Sequence, residues 1–260
     1  MSGDILLVSK TDGVAEITLN RPDRLNAIDH LLAGRLAETL ADIDRDSSVR
    51  AVLLRGAGRA FMAGGDLKDF RDAGDQAPAA VERLIVPFHA VIRSIATLSR
   101  PVIAAVHGAV AGGGVALALA CDFVLAADDA VFTPAYLKLG VNPDGGATWV
   151  VTRLLGERRA LEWLMLGDPL SAAQAERLGL INRVVLRSAL EGEARRLAQR
   201  AAAGPAQAQA SLKRLIRRAT SASLDAQLDA EADGFRALSA TPDFREGLAA
   251  FFERREPRFD

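Results

Sequence analysis

The chain has 260 residues, half of them hydrophobic and a quarter charged, which is typical of a globular protein with one large core and room for an appended segment. Its net charge of −1 excludes a general basic field for binding nucleic acid or an anionic membrane surface. The single cysteine, Cys121, excludes an intramolecular disulfide and indicates a reducing compartment. Because the first residues show no basic region followed by a long apolar stretch, we expect a cytoplasmic protein.

The first quarter of the chain predicts a hairpin, a helix and a buried strand. Residues 5–10 and 14–19 are strand candidates on either side of an Asp-Gly turn signal. A helix is predicted over 29–44, where four apolar residues share one face: Leu32, Leu36, Leu40 and Ile43. The strand predicted at 49–55 ends in a glycine-containing turn.

Two loops rich in glycine follow successive predicted strands. The first covers 61–68, and the charged segment after it, 69–78, is expected to be a mobile loop beside a site. A helix is then predicted over 79–98 from its apolar periodicity, and Pro101 ends it and opens a strand over 101–106.

The second loop is the strongest functional signal. Three consecutive glycines, Gly112 to Gly114, precede a helix predicted over 115–120. Glycine lets a ligand approach bare backbone, and the first turn of a helix offers unpaired N–H groups with partial positive charge. We therefore expect this turn to hold something anionic.

One carboxylate lies close behind that loop along the chain. After a predicted strand at 121–126, the turn at 140–146 presents Asp144. An anion-stabilising helix end and a lone carboxylate favour proton transfer on an acidic carbon. The same Asn-Pro-Asp-Gly sequence is also a favourable type I turn, in which the aspartate needs no chemical role.

The last part of the chain is predicted to be almost entirely helical. Helices are expected over 147–155, 158–166, 188–203, 205–219, 223–238 and from Thr241 to about 255, with a capping box at Ser171 and a short strand within 180–185. We divide the chain into a core, 1–195, and a C-terminal helical region, 196–260, whose helices pack on the core or on another subunit.

Several separated segments resemble the enoyl-CoA hydratase/isomerase, or crotonase, family. They are NRPDRLNA at 20–27, GAGRAFMAGGDLK at 56–68, PVIAAVHGAVAGGG at 101–114, NPDGG at 142–146 and the segment 167–184. The resemblance implies an α/β crotonase fold, which is a spiral of repeated ββα units with a C-terminal helical trimerisation region. It also implies binding of an acyl-CoA thioester, with coenzyme A as part of the substrate and no separate cofactor or metal. The expected assembly is a homotrimer or a dimer of trimers.

The resemblance also implies roles for individual residues. The two backbone N–H groups of the family's oxyanion hole fall on Gly65 and Gly113. The backbone around Ala63, Gly65 and Leu67 falls on the adenine pocket, and Arg24 lies near the CoA phosphates. Lys68 is a weaker phosphate candidate.

The family's hydratases use two glutamates, and this chain has Ala116 and Tyr136 at those positions. Neither an alanine nor a phenol of ordinary pKa near 10 replaces a carboxylate in activating water. Ordinary hydration is therefore not expected. The resemblance instead implies that Asp144 is the base of an isomerase, which moves a proton from the α-carbon to the γ-carbon of a 3-enoyl-CoA.

Two alternatives stay open. The aromatic-thioester dehalogenases of the family combine the turn aspartate with a histidine, matched here by His89, and a tryptophan, where this chain has Tyr136. Both residues also suit simpler roles, His89 on a helix face and Tyr136 in the wall of the substrate pocket. The second alternative is a protein that binds CoA thioesters without catalysis.

Overall fold

The computed structural model describes residues 4–259, which form ten β-strands and eleven α-helices. The strands are β1 (Leu6–Thr11), β2 (Val14–Leu19), β3 (Ala51–Gly56), β4 (Ala60–Met62), β5 (Val102–Val106), β6 (Ala109–Ala111), β7 (Phe123–Ala127), β8 (Val131–Thr133), β9 (Leu170–Ser171) and β10 (Arg183–Val185). The helices are α1 (His30–Arg45), α2 (Leu67–Ala73), α3 (Ala77–Thr97), α4 (Gly113–Ala120), α5 (Ala147–Leu155), α6 (Glu157–Leu166), α7 (Ala172–Arg177), α8 (Leu190–Ala202), α9 (Ala206–Ala219), α10 (Leu224–Ser239) and α11 (Pro242–Glu253).

Two sheets organise the described chain. The larger has the strand order β1-β2-β3-β5-β7-β10, antiparallel between β1 and β2 and parallel elsewhere. The smaller has the order β4-β6-β8-β9. Each consecutive strand pair from β3 to β8 places its first strand in the larger sheet and its second in the smaller. Helices follow the pairs β3–β4 and β5–β6, so the predicted ββα repeat is confirmed.

Both faces of the larger sheet are covered. Side chains alternate between the faces, so Val52 and Leu54 of β3 join the main core, whereas Leu53 joins a second cluster beneath α8. Central parallel strands are usually buried on both sides, which explains their continuous apolar sequences. Because β3 and β5 are parallel neighbours, their carboxyl ends emerge at the same edge of the sheet. Each then leads through a short strand of the smaller sheet, β4 or β6, to one of the two glycine loops.

The prediction of a mobile loop at 69–78 was wrong. This segment is the end of α2, a 3-10 turn at Gly74–Gln76 and the start of α3. Phe70 packs against the core and Lys68 forms an i,i+4 ion pair with Asp72, so α2 has both a buried side and a stabilised surface. Gly74, at φ +51°, separates the two helices, and this glycine gave the segment the composition of a loop.

The predicted hairpin and the helix at 29–44 are confirmed by β1, β2 and α1, and Asp29 caps α1 by accepting from the Leu32 N–H. The capping box at Ser171 is also present. Three strands of the smaller sheet, β4, β6 and β8, were not predicted as such. Each has only three residues, too few to show a periodicity.

The first of the C-terminal helices, α8, packs on the larger sheet. The predicted boundary at 195 falls inside this helix, which lies on the sheet along its length through Leu190, Ala194 and Ala198. The breaks in the chain on either side of this boundary are the turn before α8 and the turn between α8 and α9. Among the residues that the structure describes, no helix has both the length and the apolar character needed to cross a bilayer.

Candidate active site

The two glycine loops contact each other at the ends of β4 and β6. Gly64 has a φ of +98°, and a Cβ on it would lie 3.2 Å from the Ala111 carbonyl oxygen. A Cβ on Gly112, at φ +49°, would lie 3.6 Å from the Gly64 Cα. Only glycine fits such an approach without strain, so the sequence brings the two backbones together.

Two backbone donors remain free where these loops meet. Ile28 pairs with the first loop by donating to the Gly64 oxygen at 2.8 Å and accepting from the Asp66 N–H at 2.9 Å. This pairing uses the residues on either side of Gly65. Gly113 is the first residue of α4, whose first N–H groups have no acceptor inside the helix. Within residues 4–259, the N–H groups of Gly65 and Gly113 have no backbone or side-chain acceptor, so both are available to a ligand oxygen.

The surroundings of these donors are apolar. A Cβ on Gly113 would meet Phe88 at 3.5 Å, and one on Gly65 would meet Phe70 at 3.4 Å. Hydrogen bonds to a developing negative charge are stronger in such a region than in water. The positive end of α4 adds to the stabilisation at Gly113.

A cavity of about 370 Å³ borders the Gly65 side of this region. Its lining includes Ile28, Phe70 and Leu84 but none of Gly65, Gly113 and Asp144. Phe70 and Leu84 also flank Gly65, so the cavity lies near the first donor, while the Asp144 carboxylate lies outside it.

Asp144 lies in the turn before α5 and is partly buried. Its Oδ1 accepts a hydrogen bond of 2.8 Å from the hydroxyl of Tyr136. Burial, followed by the charge of Asp144, raises the pKa of the Tyr136 phenol. The phenol is consequently protonated at neutral pH and acts as a donor.

The turn that carries Asp144 is held against α3 and α4. Gly145 has a φ of +59°, and a Cβ on it would lie 2.5 Å from Phe88 and 3.0 Å from the Ala116 Cβ. The Gly145 N–H donates to the Nε2 of His89 at 3.3 Å. Because Phe88 contacts both Gly145 and Gly113, the turn that carries Asp144 and the α4 donor lie against one aromatic ring.

Ala116 itself is 1% exposed, at the first of the two positions where the family's hydratases have glutamate. Its methyl group faces the Asp144 turn. A longer side chain at position 116 would approach the backbone of Gly145. The second position is occupied by Tyr136, whose hydroxyl is bound to Asp144.

A buried ion-pair network lies beside the first loop. Asp66 Oδ2 accepts from Arg24 Nη1 at 2.8 Å and from Arg21 Nη2 at 2.9 Å, and Arg21 also pairs with Asp29 at 3.0 Å. Burial opposes ionisation of Asp66, but the hydrogen bonds from Arg24 and Arg21 outweigh it and lower the pKa of its carboxyl. Arg24 remains half exposed, so a ligand can still reach its guanidinium.

The other residues predicted to bind coenzyme A also lie around the first glycine loop, but their contacts differ. The Ala63 N–H donates to the Leu25 oxygen at 3.0 Å, and Leu67 is exposed at the start of α2. Lys68 is paired with Asp72 on the outer surface of α2. The structure therefore places Ala63, Leu67 and Arg24 beside the Gly65 donor, whereas Lys68 has an intramolecular partner.

Sequence reasoning missed the network of Arg21, Asp29 and Asp66. The carboxylates of Asp29, Asp66 and Asp69 have oxygen atoms within 4.8 Å of one another. Arg21 and Arg24 offset the charge of Asp29 and Asp66. Arg21 and Arg24 lie in a predicted turn and Asp66 in a separate loop, so no local periodicity links them. The only signal was that both segments belong to the motifs that resemble the enoyl-CoA hydratase/isomerase family.

The fold and this site define an enzyme that processes acyl-CoA thioesters. The sequence matches the enoyl-CoA hydratase/isomerase family over residues 9–260. The chain belongs to that family.

Individual relatives carry several different names. A protein of Escherichia coli (strain K12), named 1,2-epoxyphenylacetyl-CoA isomerase, is 41% identical over 261 residues that cover 98% of each chain. A 4-chlorobenzoyl coenzyme A dehalogenase of Arthrobacter sp. is 34% identical over 199 residues, or 76% of this chain and 72% of that one. The crystal structure of an enoyl-CoA hydratase from Polaromonas sp. JS666 has a TM-score of 0.94 and 37% identity, covering 98% of this chain and 99% of that chain. Membership of the family is therefore secure, while the names of the relatives include three reactions.

Proposed function

We propose that the protein is an isomerase that converts 3-enoyl-CoA thioesters to 2-enoyl-CoA thioesters, with Asp144 as the proton carrier. The observation that carries the proposal is one partly buried carboxylate together with two free backbone donors, of which Gly113 lies against Phe88, the ring that also contacts the turn of Asp144. A single carboxylate is sufficient for both proton transfers of a double-bond shift.

The reaction has two steps at one enolate. Asp144 first takes a proton from the α-carbon, and the electrons of that C–H bond form a dienolate whose oxygen accepts from the N–H groups of Gly65 and Gly113. The same proton then returns at the γ-carbon, and the thioester carbonyl is restored. Each backbone donor is worth about 3 kcal/mol of transition-state stabilisation, and positioned proton transfer contributes about 10²–10⁴ in rate.

Coenzyme A binding is proposed on the Gly65 side. The backbone at Ala63 and Leu67 would contact the adenine, and the exposed part of Arg24 would contact a phosphate. Arg24 is held by Asp66, so its guanidinium is oriented before the substrate arrives. Lys68 would have to leave Asp72 to take part, which makes it the weaker of the two cations.

The name of one relative supports part of the proposed substrate class. Of the three compared above, the relative with the highest sequence identity is named 1,2-epoxyphenylacetyl-CoA isomerase, a name that gives a phenylacetyl-type acyl group. We therefore propose acyl groups derived from aromatic rings alongside linear 3-enoyl chains.

The test is Asp144→Asn, which keeps the size of the side chain and removes its basic oxygen. We expect isomerase turnover to fall by at least about 10²-fold, because the positioned proton carrier is lost. Calorimetric titration with a saturated acyl-CoA should give an unchanged affinity. Asp42→Asn on the exposed surface of α1 is the matched control and should retain full turnover.

Two outcomes would contradict the proposal. Wild-type turnover in Asp144→Asn would remove Asp144 from the reaction. Binding of acyl-CoA by the wild-type protein, with no isomerisation of any linear or ring-derived thioester, would remove the isomerase function.

A dehalogenase reaction is the second candidate, because one relative carries that name and His89 lies beside the Asp144 turn. In this structure His89 Nε2 accepts from Gly145, and Asp144 Oδ1 is bound by Tyr136, so neither group has its full hydrogen-bonding capacity free. Halide release from a halobenzoyl-CoA would favour this candidate over isomerisation.

Self-association is also proposed. The C-terminal helices expose large apolar side chains, including Leu224, Phe235, Phe251 and Phe252. Exposed apolar surface of this extent favours contact with another subunit. We propose a trimer or a dimer of trimers, and sedimentation of the purified protein would give the number of subunits.

A further inference from the structure

Tyr136 contacts the proposed base directly, and it is the one tyrosine of the sequence. Building on the isomerase function proposed above, we propose that Tyr136 is a positioning residue: its hydroxyl holds Oδ1 of Asp144 and leaves Oδ2 as the oxygen that carries the proton. This differs from a role in the wall of the substrate pocket, because the hydroxyl contacts the enzyme's own carboxylate.

The backbone before Tyr136 supports a built position. Ala135 has a φ of +63°, in the left-handed region that non-glycine residues rarely adopt. Such a conformation is unfavourable for a residue with a Cβ and persists only where the surroundings impose it. The following residue, Tyr136, is fixed by its N–H donating to the Pro134 oxygen at 2.9 Å. The chain thus holds a strained residue directly before the side chain that contacts Asp144.

The other flank of the carboxylate is fixed through the backbone. Gly145, the next residue after Asp144, donates its N–H to His89 Nε2 and lies against Phe88. The main chain of the turn is therefore anchored on α3. This anchor leaves the Asp144 side chain free to rotate about its Cα–Cβ and Cβ–Cγ bonds, and the hydrogen bond from Tyr136 restricts that rotation.

The hydrogen bond is compatible with both halves of the reaction. When the α C–H bond breaks, its electrons enter the dienolate and its proton passes to Oδ2. When the O–H bond on Oδ2 breaks, its proton passes to the γ-carbon and the dienolate electrons form the new C–H bond. Oδ1 is an acceptor in the carboxylate and in the neutral acid, so Tyr136 donates throughout and neither gains nor loses a proton.

This arrangement should also protect the carried proton. A carboxyl group held in one orientation keeps Oδ2 towards the substrate. A carboxyl group that rotates exposes its proton to water, where it exchanges. The fraction of the α-proton that reaches the γ-carbon is therefore a direct measure of positioning.

The experiment is Tyr136→Phe, assayed with unlabelled substrate in D₂O. We expect kcat to fall about ten-fold, as for loss of one hydrogen bond to a charged group, with KM within about two-fold. The fraction of transferred proton retained from the substrate should fall as well. Lys138→Ala, an exposed change in the same 3-10 segment, should leave kcat, KM and proton retention at their wild-type values.

Wild-type kcat and proton retention in Tyr136→Phe would overturn the inference, and a raised KM with unchanged kcat would return Tyr136 to the pocket wall. If the variant does not fold, 3-fluorotyrosine can replace the single tyrosine. Its ¹⁹F resonance should then shift on Asp144→Asn, and an unchanged resonance would overturn the contact.

The failure of this inference is distinguishable from failure of the proposed function. If Asp144→Asn retains turnover, the isomerase mechanism fails. If Asp144→Asn is inactive while Tyr136→Phe behaves as wild type, the positioning role alone fails.

Discussion

Three partly or largely buried carboxylates in this protein are bound in two different ways. Asp66 is bound by two guanidinium groups, and Asp122 is bound by the ammonium of Lys213 and the guanidinium of Arg217. Asp144 is bound by the neutral hydroxyl of Tyr136, and within the described chain no lysine or arginine forms an ion pair with it.

The difference separates structural anchors from a candidate base. A carboxylate that faces two cations is stabilised in its charged form and gives up that stabilisation if it is protonated. A carboxylate bound by a neutral donor has no such partner to lose, since the donor serves both protonation states. Of these three carboxylates, the one that lacks a cation is the one that we propose as the proton carrier.

The largest effect on stability is expected at the anchor around Asp122. Lys213 on α9 donates to Asp122 Oδ2 at 2.6 Å, to the Ile95 oxygen at 2.9 Å and to the Arg100 oxygen at 3.2 Å. Lys213→Met leaves these buried acceptors without that donor and should lower the free energy of unfolding by about 3 kcal/mol. Urea denaturation measures this loss, and turnover per folded molecule should stay unchanged.

Arg217→Met is the matched control at the same carboxylate. Arg217 is more exposed than Lys213, with 28% of its side chain accessible against 10%, so water replaces its interaction more readily. We expect a loss of about 1 kcal/mol. Equal losses in the two variants would contradict the view that α9 is anchored through its buried lysine.

A smaller and pH-dependent effect is expected at Asp66. Its pKa is lowered from 3.8 in the folded state despite burial, because Arg24 and Arg21 bind the carboxylate. A lowered folded-state pKa contributes stability above the unfolded value, and this contribution is lost as pH falls. Asp66→Asn should therefore be less stable than wild type by about 2 kcal/mol at pH 7.

The difference between Asp66→Asn and wild type should shrink as the pH is lowered from about 4, near the ordinary carboxyl pKa. Parallel urea titrations at several pH values measure it. A constant difference across this range would show that the asparagine acts through packing and not through the lost charge.

Binding of acyl-CoA should also weaken in Asp66→Asn, because Arg24 loses its partner, while binding of a pantetheine thioester without the nucleotide phosphates should be unaffected.

The backbone donors and the base also differ in how far the sequence predicts them. The glycine pattern predicts the two loops and a helix start that holds an anion, because backbone donors depend on local conformation, whereas the assignment of the donors to Gly65 and Gly113 came from the family resemblance. The contacts of Asp144 with Tyr136 and of Gly145 with His89 join separate segments. No local pattern gives a distance between such segments, although the family resemblance named each residue.

The same limit explains the errors in the fold. The segment 69–78 looked like a loop because charge and Gly74 hide its short helices, and the burial of Phe70 became visible only with α3 in place. The three-residue strands of the smaller sheet form because their neighbours in other repeats supply hydrogen bonds. Elements that depend on distant partners are the ones that sequence patterns miss.

The smallest expected effect is spectroscopic and tests the neutral donor itself. Burial and then the charge of Asp144 raise the pKa of Tyr136, so removing that charge should lower this pKa. Because the sequence has one tyrosine, absorbance at the phenolate band reports Tyr136 alone once the tryptophan background is subtracted. Alkaline titration of Asp144→Asn should show ionisation at a lower pH than in wild type, whereas Asp42→Asn should not change it. An identical titration in Asp144→Asn and wild type, over the pH range in which circular dichroism shows the fold intact, would mean that the phenol and the carboxylate are apart in solution, and the distinction between Asp144 and the two anchored carboxylates would then lose its basis.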